Sequence, residues 1–125
     1  MNVVDSSAWL EYLAAAPSAT YFGDAIEKTA ELIVPSVSIY EVFKKILQQR
    51  SENEALQVVA VMQQGTIVEL DATVALSAAR ISIERQLPMA NSIMLATAVL
   101  NNATLWTQDS HFEGIPNVKY KKSVS

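Results

Sequence analysis

Apolar positions in this chain fall into two kinds of segment that follow one another along its length. The first kind is a short, nearly continuous apolar run, which is typical of a strand buried on both faces of a parallel sheet. Such runs predict five strands, at residues 2–5, 31–34, 66–69, 104–107 and 118–120. Strands of this kind need helices to cover them on both faces.

The second kind of segment is longer and places apolar residues three and four positions apart, as on one face of a helix. Asp71 stands where it would cap one of these helices, Pro88 where it would start another, and Gly65 where a left-handed residue would end a third. The pattern predicts helices around residues 9–13 and over 19–29, 37–49, 52–64, 72–85 and 89–101.

The alternation of strands and helices predicts the fold class. It favours an α/β fold, a three-layer α/β/α sandwich around a central, mainly parallel sheet. Because the pattern contains no linker and no internal repeat, we expect a single domain over residues 1–125. Ligands bind such sheets beyond the carboxyl ends of the strands. Acidic residues that follow strands are therefore the first candidates for chemistry.

Composition excludes several kinds of protein. Half of the residues are apolar and 18% are charged, as in a folded domain rather than a disordered chain. The lack of cysteine excludes a disulfide framework and a thiolate zinc site, and a single histidine excludes a histidine-rich metal site. No signal-peptide pattern and no apolar run of about 20 residues is present, so we expect a cytoplasmic protein with no membrane partner.

Charge sets a condition on any nucleic-acid partner. The net charge is −4, so no overall positive field attracts a polyanion. A phosphate backbone would have to be met by bound cations or by a local basic patch. The candidates for such phosphate contacts are Lys44, Lys45 and Arg50, although the default interpretation of these residues is a solvated helix face. Arg80, Arg85 and the lysines at 119, 121 and 122 are further candidates.

Three acidic residues stand close behind predicted strands or at the start of the following helix. Asp5 ends the first strand, Asp109 follows the fourth, and Glu41 lies early in the helix after Pro35. All three can reach one edge of the sheet. Carboxylates gathered there would repel one another without a cation, and Mg²⁺ and Mn²⁺ prefer carboxylate oxygens. Their convergence would therefore imply a metal site.

Each acid also has a purely structural interpretation. Asp5 suits a helix cap, Glu41 completes a Ser38-x-x-Glu41 capping box, and Asp109 suits the start of a turn. His111 is interpreted as a residue of that turn rather than as a catalytic base.

Four segments together carry a resemblance to a known family. They are VVDSSAWLEYL, VSIYEVFKKI, LPMANSIMLATA and LWTQDSHFEGIPNV, in this order and spacing over nearly the whole chain. The chain resembles a PIN-domain ribonuclease of the VapC type, the toxin of a type II toxin–antitoxin system. The resemblance implies a PIN-like fold and an acidic pocket that binds Mg²⁺ or Mn²⁺ and hydrolyses RNA. It also implies a homodimer and a cognate antitoxin protein as partner.

The resemblance implies roles for individual residues. Asp5 and Asp109 match direct metal ligands, while Glu41 matches an acid that binds the metal through water or accepts a proton. Ser6 and Thr107 flank two of these acids and are expected to support them through their hydroxyl groups. The alternative is that Ser6 caps a helix and Thr107 suits a strand end.

The fourth acidic position of the family departs from the pattern. Where the family usually has aspartate, in LPMANSIMLATA, this chain has Asn91. Asparagine keeps one oxygen but removes a negative charge, so we expect weaker metal binding and impaired activity. Asn91 marks either a deliberate change that permits expression of a toxic nuclease, which the three intact acids favour, or a natural member with reduced activity.

Two other functions compete with the nuclease. The first is a catalytically inactive PIN-like module that binds a protein partner. The second is a receiver-type phosphoryl-transfer domain that uses Asp5. The sequence disfavours the second, because no acidic pair stands beside Asp5 and no later lysine fits that role.

Overall fold

The structure of the protein, a computed structural model, describes residues 1–123, and residues 124 and 125 of the predicted domain lie outside the described residues. A five-stranded sheet forms the centre, and every neighbouring pair of its strands is parallel. In chain order the strands are β1 (Asn2–Val4), β2 (Leu32–Pro35), β3 (Thr66–Val68), β4 (Thr104–Thr107) and β5 (Val118–Tyr120). Their spatial order is β3-β2-β1-β4-β5.

Helices connect these strands. They are α1 (Ser6–Leu13), α2 (Ala19–Ile26), α3 (Ser36–Gln49), α4 (Glu52–Met62), α5 (Ala72–Arg85) and α6 (Met89–Leu100). The predicted fold class, an α/β/α sandwich around a parallel sheet, is confirmed. None of the helices within residues 1–123 is both long and apolar enough to cross a membrane.

Successive residues of a strand point to opposite faces of the sheet, and both faces are buried. Val4 of β1 packs with Trp9 of α1 and Phe22 of α2 in one core. Its neighbour Val3 packs with Leu95 of α6 in the core on the other face. This burial of both faces explains why the strand segments of the sequence are almost continuously apolar.

Two helix ends show where local signals predicted correctly and where they did not. Asp71 caps α5, because its Oδ1 accepts a hydrogen bond of 2.9 Å from the backbone N–H of Val74. The segment predicted as a helix to residue 29 ends at Ile26, and residues 29–31 form a separate 3-10 turn before β2.

Gly65 does not form the predicted left-handed cap. The helix α4 ends at Met62 with Gln63 as a right-handed cap residue, and the glycine with a positive φ is Gly114 instead. A Cβ atom added at Gly65 would lie 3.0 Å from the side chain and the carbonyl oxygen of Leu32 and 3.0 Å from Val34. Glycine is needed here because the chain passes close to β2.

The strand order creates a switch point at β1. From β1 the chain builds outward through β2 and β3 on one side, and β4 and β5 are added on the other side. The connections that leave the carboxyl ends of β1 and β4 therefore diverge and leave a crevice between them. Asp5 directly follows β1, and Asp109 follows β4 by two residues.

Candidate functional site

Asp5 lies at the carboxyl end of β1 and is 4% exposed. It holds the N-cap position of α1, as the structural alternative predicted, but its side chain makes no capping hydrogen bond. The Oδ2 atom accepts hydrogen bonds of 2.6 Å from the hydroxyl of Ser7 and 2.9 Å from the hydroxyl of Thr107. Neighbouring hydroxyl groups therefore hold the carboxylate of Asp5 in place.

Glu41 lies on α3 and turns toward the start of α1. The helix begins at Ser36 after Pro35, so Ser38 lies inside it and the alternative of a Ser38–Glu41 capping box is wrong. Instead, Oε1 of Glu41 accepts a hydrogen bond of 2.6 Å from the hydroxyl of Ser6. This contact joins two helices that are far apart in sequence.

Asp109 combines a structural contact with a place in the site. Its Oδ1 accepts a 2.9 Å hydrogen bond from the backbone N–H of His111 and lies 2.7 Å from Nδ1 of the His111 ring. The interpretation as a turn residue is thus confirmed, since Asp109 caps the 3-10 turn Ser110–Phe112. Its other oxygen, Oδ2, accepts a 3.0 Å hydrogen bond from Nδ2 of Asn91.

One cavity of about 310 Å³ brings these side chains together beyond the carboxyl ends of β1 and β4. The residues that line it include the three acids, Asn91 and one cationic side chain: Asp5, Ser6, Ser7, Leu10, Glu41, Lys45, Asn91 and Asp109. The cavity is open to solvent and polar on much of its surface. It lies in the crevice that the switch point creates.

The electrostatics of the cavity differ between its two aspartates. Burial raises the pKa of the Asp5 carboxyl, the hydrogen bonds from Ser7 and Thr107 oppose this, and the charges of Asp109 and Glu41 add to the rise. Burial also acts to raise the pKa of Asp109, but the hydrogen bonds from His111 and Asn91 outweigh it and the pKa is lowered. Of the two aspartates, Asp5 is therefore the one whose negative charge is less compensated.

The residue types of the cavity fit a divalent cation of the Mg²⁺ or Mn²⁺ kind. Three carboxylates and one amide oxygen are ligands that these ions prefer. Within the described residues, both hydrogen bonds to the Asp5 carboxylate are made to Oδ2, which leaves Oδ1 for a ligand. Over residues 1–123 no three acidic or histidine side chains are arranged closely enough to hold an ion as they stand. Each oxygen of Asp109 already accepts a hydrogen bond, from Asn91 or from His111, so a cation bound there would share the carboxylate with these donors.

Hydroxyl groups support the acids. Thr107 donates to Asp5, and its Oγ1 accepts a 2.9 Å hydrogen bond from the backbone N–H of Asp109, so one fully buried hydroxyl connects both aspartates. Ser6 supports Glu41, as described above. Ser7 was not among the predicted site residues, although its position two residues after Asp5 is a signal for such a contact.

The three candidates for RNA contacts, Lys44, Lys45 and Arg50, have different surroundings in the structure. Lys45 lines the acidic cavity and also the adjoining cavity of about 510 Å³, whereas Arg50 lines only the second. Arg50 lies 3.8 Å from Glu54 in an exposed ion pair. Lys44 turns to Tyr40, with its Nζ 5.6 Å from the ring centroid. The signal that distinguishes Lys45 is its position four residues after Glu41, on the same helix face.

Comparison with known proteins gives the family. Residues 3–118 match the family model of the PIN domain. The chain belongs to the PIN-domain family. The predicted resemblance to PIN domains is thus confirmed, and no curated protein matches the sequence.

Solved structures with the same PIN fold extend the comparison. A toxin–antitoxin complex from Klebsiella pneumoniae is 19% identical with a TM-score of 0.83, covering 98% of this chain and 100% of that chain. VapBC2 from Rickettsia felis, bound to a DNA fragment from its promoter, is 13% identical with a TM-score of 0.74, covering 97% of each chain. VapC20 from Mycobacterium tuberculosis, a Sarcin-Ricin loop cleaving toxin, is 11% identical with a TM-score of 0.67, covering 83% of this chain and 85% of that one.

Proposed function

We propose that this PIN domain is a metal-dependent endoribonuclease of the VapC type, which hydrolyses phosphodiester bonds in RNA as the toxin of a toxin–antitoxin pair. The observation that carries the proposal is the position of Asp5, Glu41 and Asp109 around one cavity at the switch point of the sheet. VapC20, which has the same fold, is a toxin that cleaves the Sarcin-Ricin loop.

The cofactor of the proposed reaction is Mg²⁺ or Mn²⁺. The direct ligands of the ion would be Asp109 and the Oδ1 atom of Asp5. Glu41 and the amide oxygen of Asn91 would complete the set of ligands. The chemistry such an ion supplies is charge stabilisation at the scissile phosphate and a lowered pKa of water. The buried and poorly compensated carboxylate of Asp5 supports this assignment, because a cation would relieve its desolvation.

Glu41 is the residue that we assign to proton transfer. Ser6 binds its Oε1 at 2.6 Å and so fixes the carboxylate at the wall of the cavity. The second oxygen, Oε2, is then available to orient an attacking water molecule and to accept its proton. Ser6 acts as a positioning residue for this step, and Thr107 does the same for the two aspartates.

Lys45 is the residue that we assign to the RNA backbone. It is the cationic side chain of the acidic cavity, and it also reaches the adjoining cavity where Arg50 stands. A phosphate that enters an acidic site needs a positive group at its rim, since the net charge of the chain is negative. The path of the RNA would then run from Lys45 toward Arg50.

Asn91 reduces the proposed activity of this chain. Replacing a carboxylate by an amide removes one negative charge from the site. Two unit charges 4 Å apart interact by about 4 kcal/mol at an effective dielectric constant of about 20, and part of this is offset by less repulsion among the acids. The expected direction is weaker metal binding.

The Asn91→Asp variant tests the proposed function. We expect at least about a tenfold gain in Mn²⁺-dependent cleavage of RNA over the present chain, because a cation-binding charge is restored. Asn53→Asp is a matched control that adds the same charge at an exposed position of α4 and should change nothing. If Asn91→Asp cleaves RNA no faster than the control, the assignment of the site is wrong.

A second candidate function is a catalytically inactive PIN module that binds a protein. One observation favours it, namely that Asn91 and His111 both donate hydrogen bonds to Asp109. The two functions differ in the behaviour of Asn91→Asp, which would bind no Mn²⁺ if the module were inactive.

The proposed partners are a cognate antitoxin and a second copy of the chain. The structure from Klebsiella pneumoniae is a toxin–antitoxin complex, and that from Rickettsia felis is VapBC2 bound to a DNA fragment. The cavity of about 510 Å³ beside the acidic site offers apolar contacts from Leu10, Leu13, Ile46 and Val58. An antitoxin segment bound there would also block access to the acids.

A further inference from the structure

The carboxylate of Asp109 is held by more donors than either of the other acids. Nδ2 of Asn91 binds Oδ2 at 3.0 Å, while the backbone N–H of His111 binds Oδ1 at 2.9 Å and its ring nitrogen lies at 2.7 Å. Hydrogen bonds to an ionised carboxylate are among the stronger ones in proteins. Asp109 is therefore stabilised as an anion by groups of the chain itself.

The amide of Asn91 has a defined orientation in this contact. A carboxylate oxygen only accepts hydrogen bonds, so the amide nitrogen rather than the amide oxygen must face Asp109. The amide oxygen is the atom of Asn91 that binds cations, and it lies on the opposite side of the same planar group. An ion between Asn91 and Asp109 therefore requires the amide to turn and its hydrogen bond to break.

We propose that the Asn91 amide competes with the metal ion for Asp109 and so holds the site of this chain in a state of low metal affinity. This inference rests on the proposed function, because the ion in question is the one of that site. It differs from a simple loss of a ligand, since the amide would act as an internal substitute for the cation.

The Asn91→Ala variant separates the two effects. It removes the amide donor from Asp109 without restoring a charge, and alanine is well suited to the helix α6. If the amide competes, Mn²⁺ binds Asn91→Ala about tenfold more tightly than the present chain, since a hydrogen bond to a charged group no longer has to be broken. If Asn91 is only a weak ligand, the affinity of Asn91→Ala is equal or lower.

The experiment measures Mn²⁺ binding by isothermal titration calorimetry, with electron paramagnetic resonance of free Mn²⁺ as a second readout. It compares the present chain with Asn91→Ala, Asn91→Asp and the surface control Asn53→Ala. Thermal unfolding verifies that each variant is folded. Should Asn91→Ala fail to fold, Asn91→Leu takes its place, because it keeps the approximate size of the side chain, also removes the amide donor from Asp109 and is expected to raise the affinity in the same direction.

Each outcome decides between the claims. Tighter binding by Asn91→Ala supports the competition. Equal or weaker binding by Asn91→Ala, together with tight binding by Asn91→Asp, overturns the competition and leaves the proposed function standing. Absence of Mn²⁺ binding in every variant overturns the proposed function and the competition with it.

Discussion

At the scale of single residues, the site is a balance between buried charge and hydrogen bonds. Asp109 and Glu41 each have donors from neighbouring side chains, and the pKa of Asp109 is lowered. Asp5 also accepts two hydrogen bonds, but burial and the charges of the other acids raise its pKa. In the absence of a cation the ionised form of Asp5 therefore costs the folded state free energy.

This balance predicts that Asp5→Asn stabilises the fold. Because the pKa of Asp5 in the folded chain lies above its usual value of 3.8, stability is lost as the pH rises through the folded pKa. With a chelator present at pH 7, we expect Asp5→Asn to raise the Tm by about 4 °C. This is the change that about 1 kcal/mol in the free energy of unfolding causes in a domain of this size. The measurement is a thermal melt followed by circular dichroism.

The same comparison at lower pH supplies its internal check. The gain in Tm should shrink as the pH falls through the raised pKa of the folded state, and it should vanish below pH 3.8, where Asp5 is protonated in both states. Asp24→Asn, at an exposed position of α2, is the control and should show little change at either pH. A gain for Asp5→Asn that is independent of pH would show that charge is not its cause.

At the scale of secondary-structure elements, α3 shows what local signals predict and what they miss. Its end at Gln49 follows from the spacing of residues, and the structure agrees, but of its apolar residues Tyr40 and Leu47 are exposed while Val42 is fully buried. The Ser38–Glu41 pair matched a capping box, but Pro35 precedes the helix and starts it two residues before Ser38. The direction of the Glu41 side chain is set by its hydrogen bond with Ser6, which lies far away in the sequence. A local sequence pattern cannot predict such a contact.

Gly65 gives a prediction at this scale. Since a Cβ atom would meet the side chain and backbone of Leu32, we expect Gly65→Ala to lower the free energy of unfolding by about 1–3 kcal/mol. Gly65→Asn should be at least as destabilising, because asparagine also has a Cβ atom. Urea unfolding measures both.

The asparagine variant excludes the other interpretation of this glycine. Asparagine is tolerated in left-handed positions, so Gly65→Asn would be nearly neutral if Gly65 were a left-handed cap. Gly114→Asn is the matched control, since Gly114 has a φ of 82° and no atom within 4 Å of an added Cβ. It should be tolerated.

At the scale of the whole molecule, the alternation of strands and helices was sufficient to predict a parallel α/β sandwich. Strands buried on both faces leave a strong pattern, and β4, β5 and α5 begin and end where the spacing placed them. The strand order that puts β1 between β2 and β4 was not part of the prediction. It depends on long-range packing, and it creates the crevice in which the acids meet.

The contacts within the site were less predictable than its members. The residues Asp5, Glu41, Asn91 and Asp109 were named from their places after strands and from the family resemblance. That Nδ2 of Asn91 binds Asp109, and that Lys45 rather than Lys44 reaches the cavity, depends on side-chain directions in the folded chain. Those directions are set by packing between elements distant in sequence.

The most direct test of the metal site is a crystal structure of Asn91→Asp soaked in Mn²⁺, with anomalous scattering to locate the ion. The account predicts an anomalous peak in the cavity beyond β1 and β4, with carboxylate oxygens of Asp5 and Asp109 about 2.0–2.3 Å from the ion. A peak elsewhere on the molecule, or no peak at a concentration of Mn²⁺ that saturates binding in solution, would contradict it.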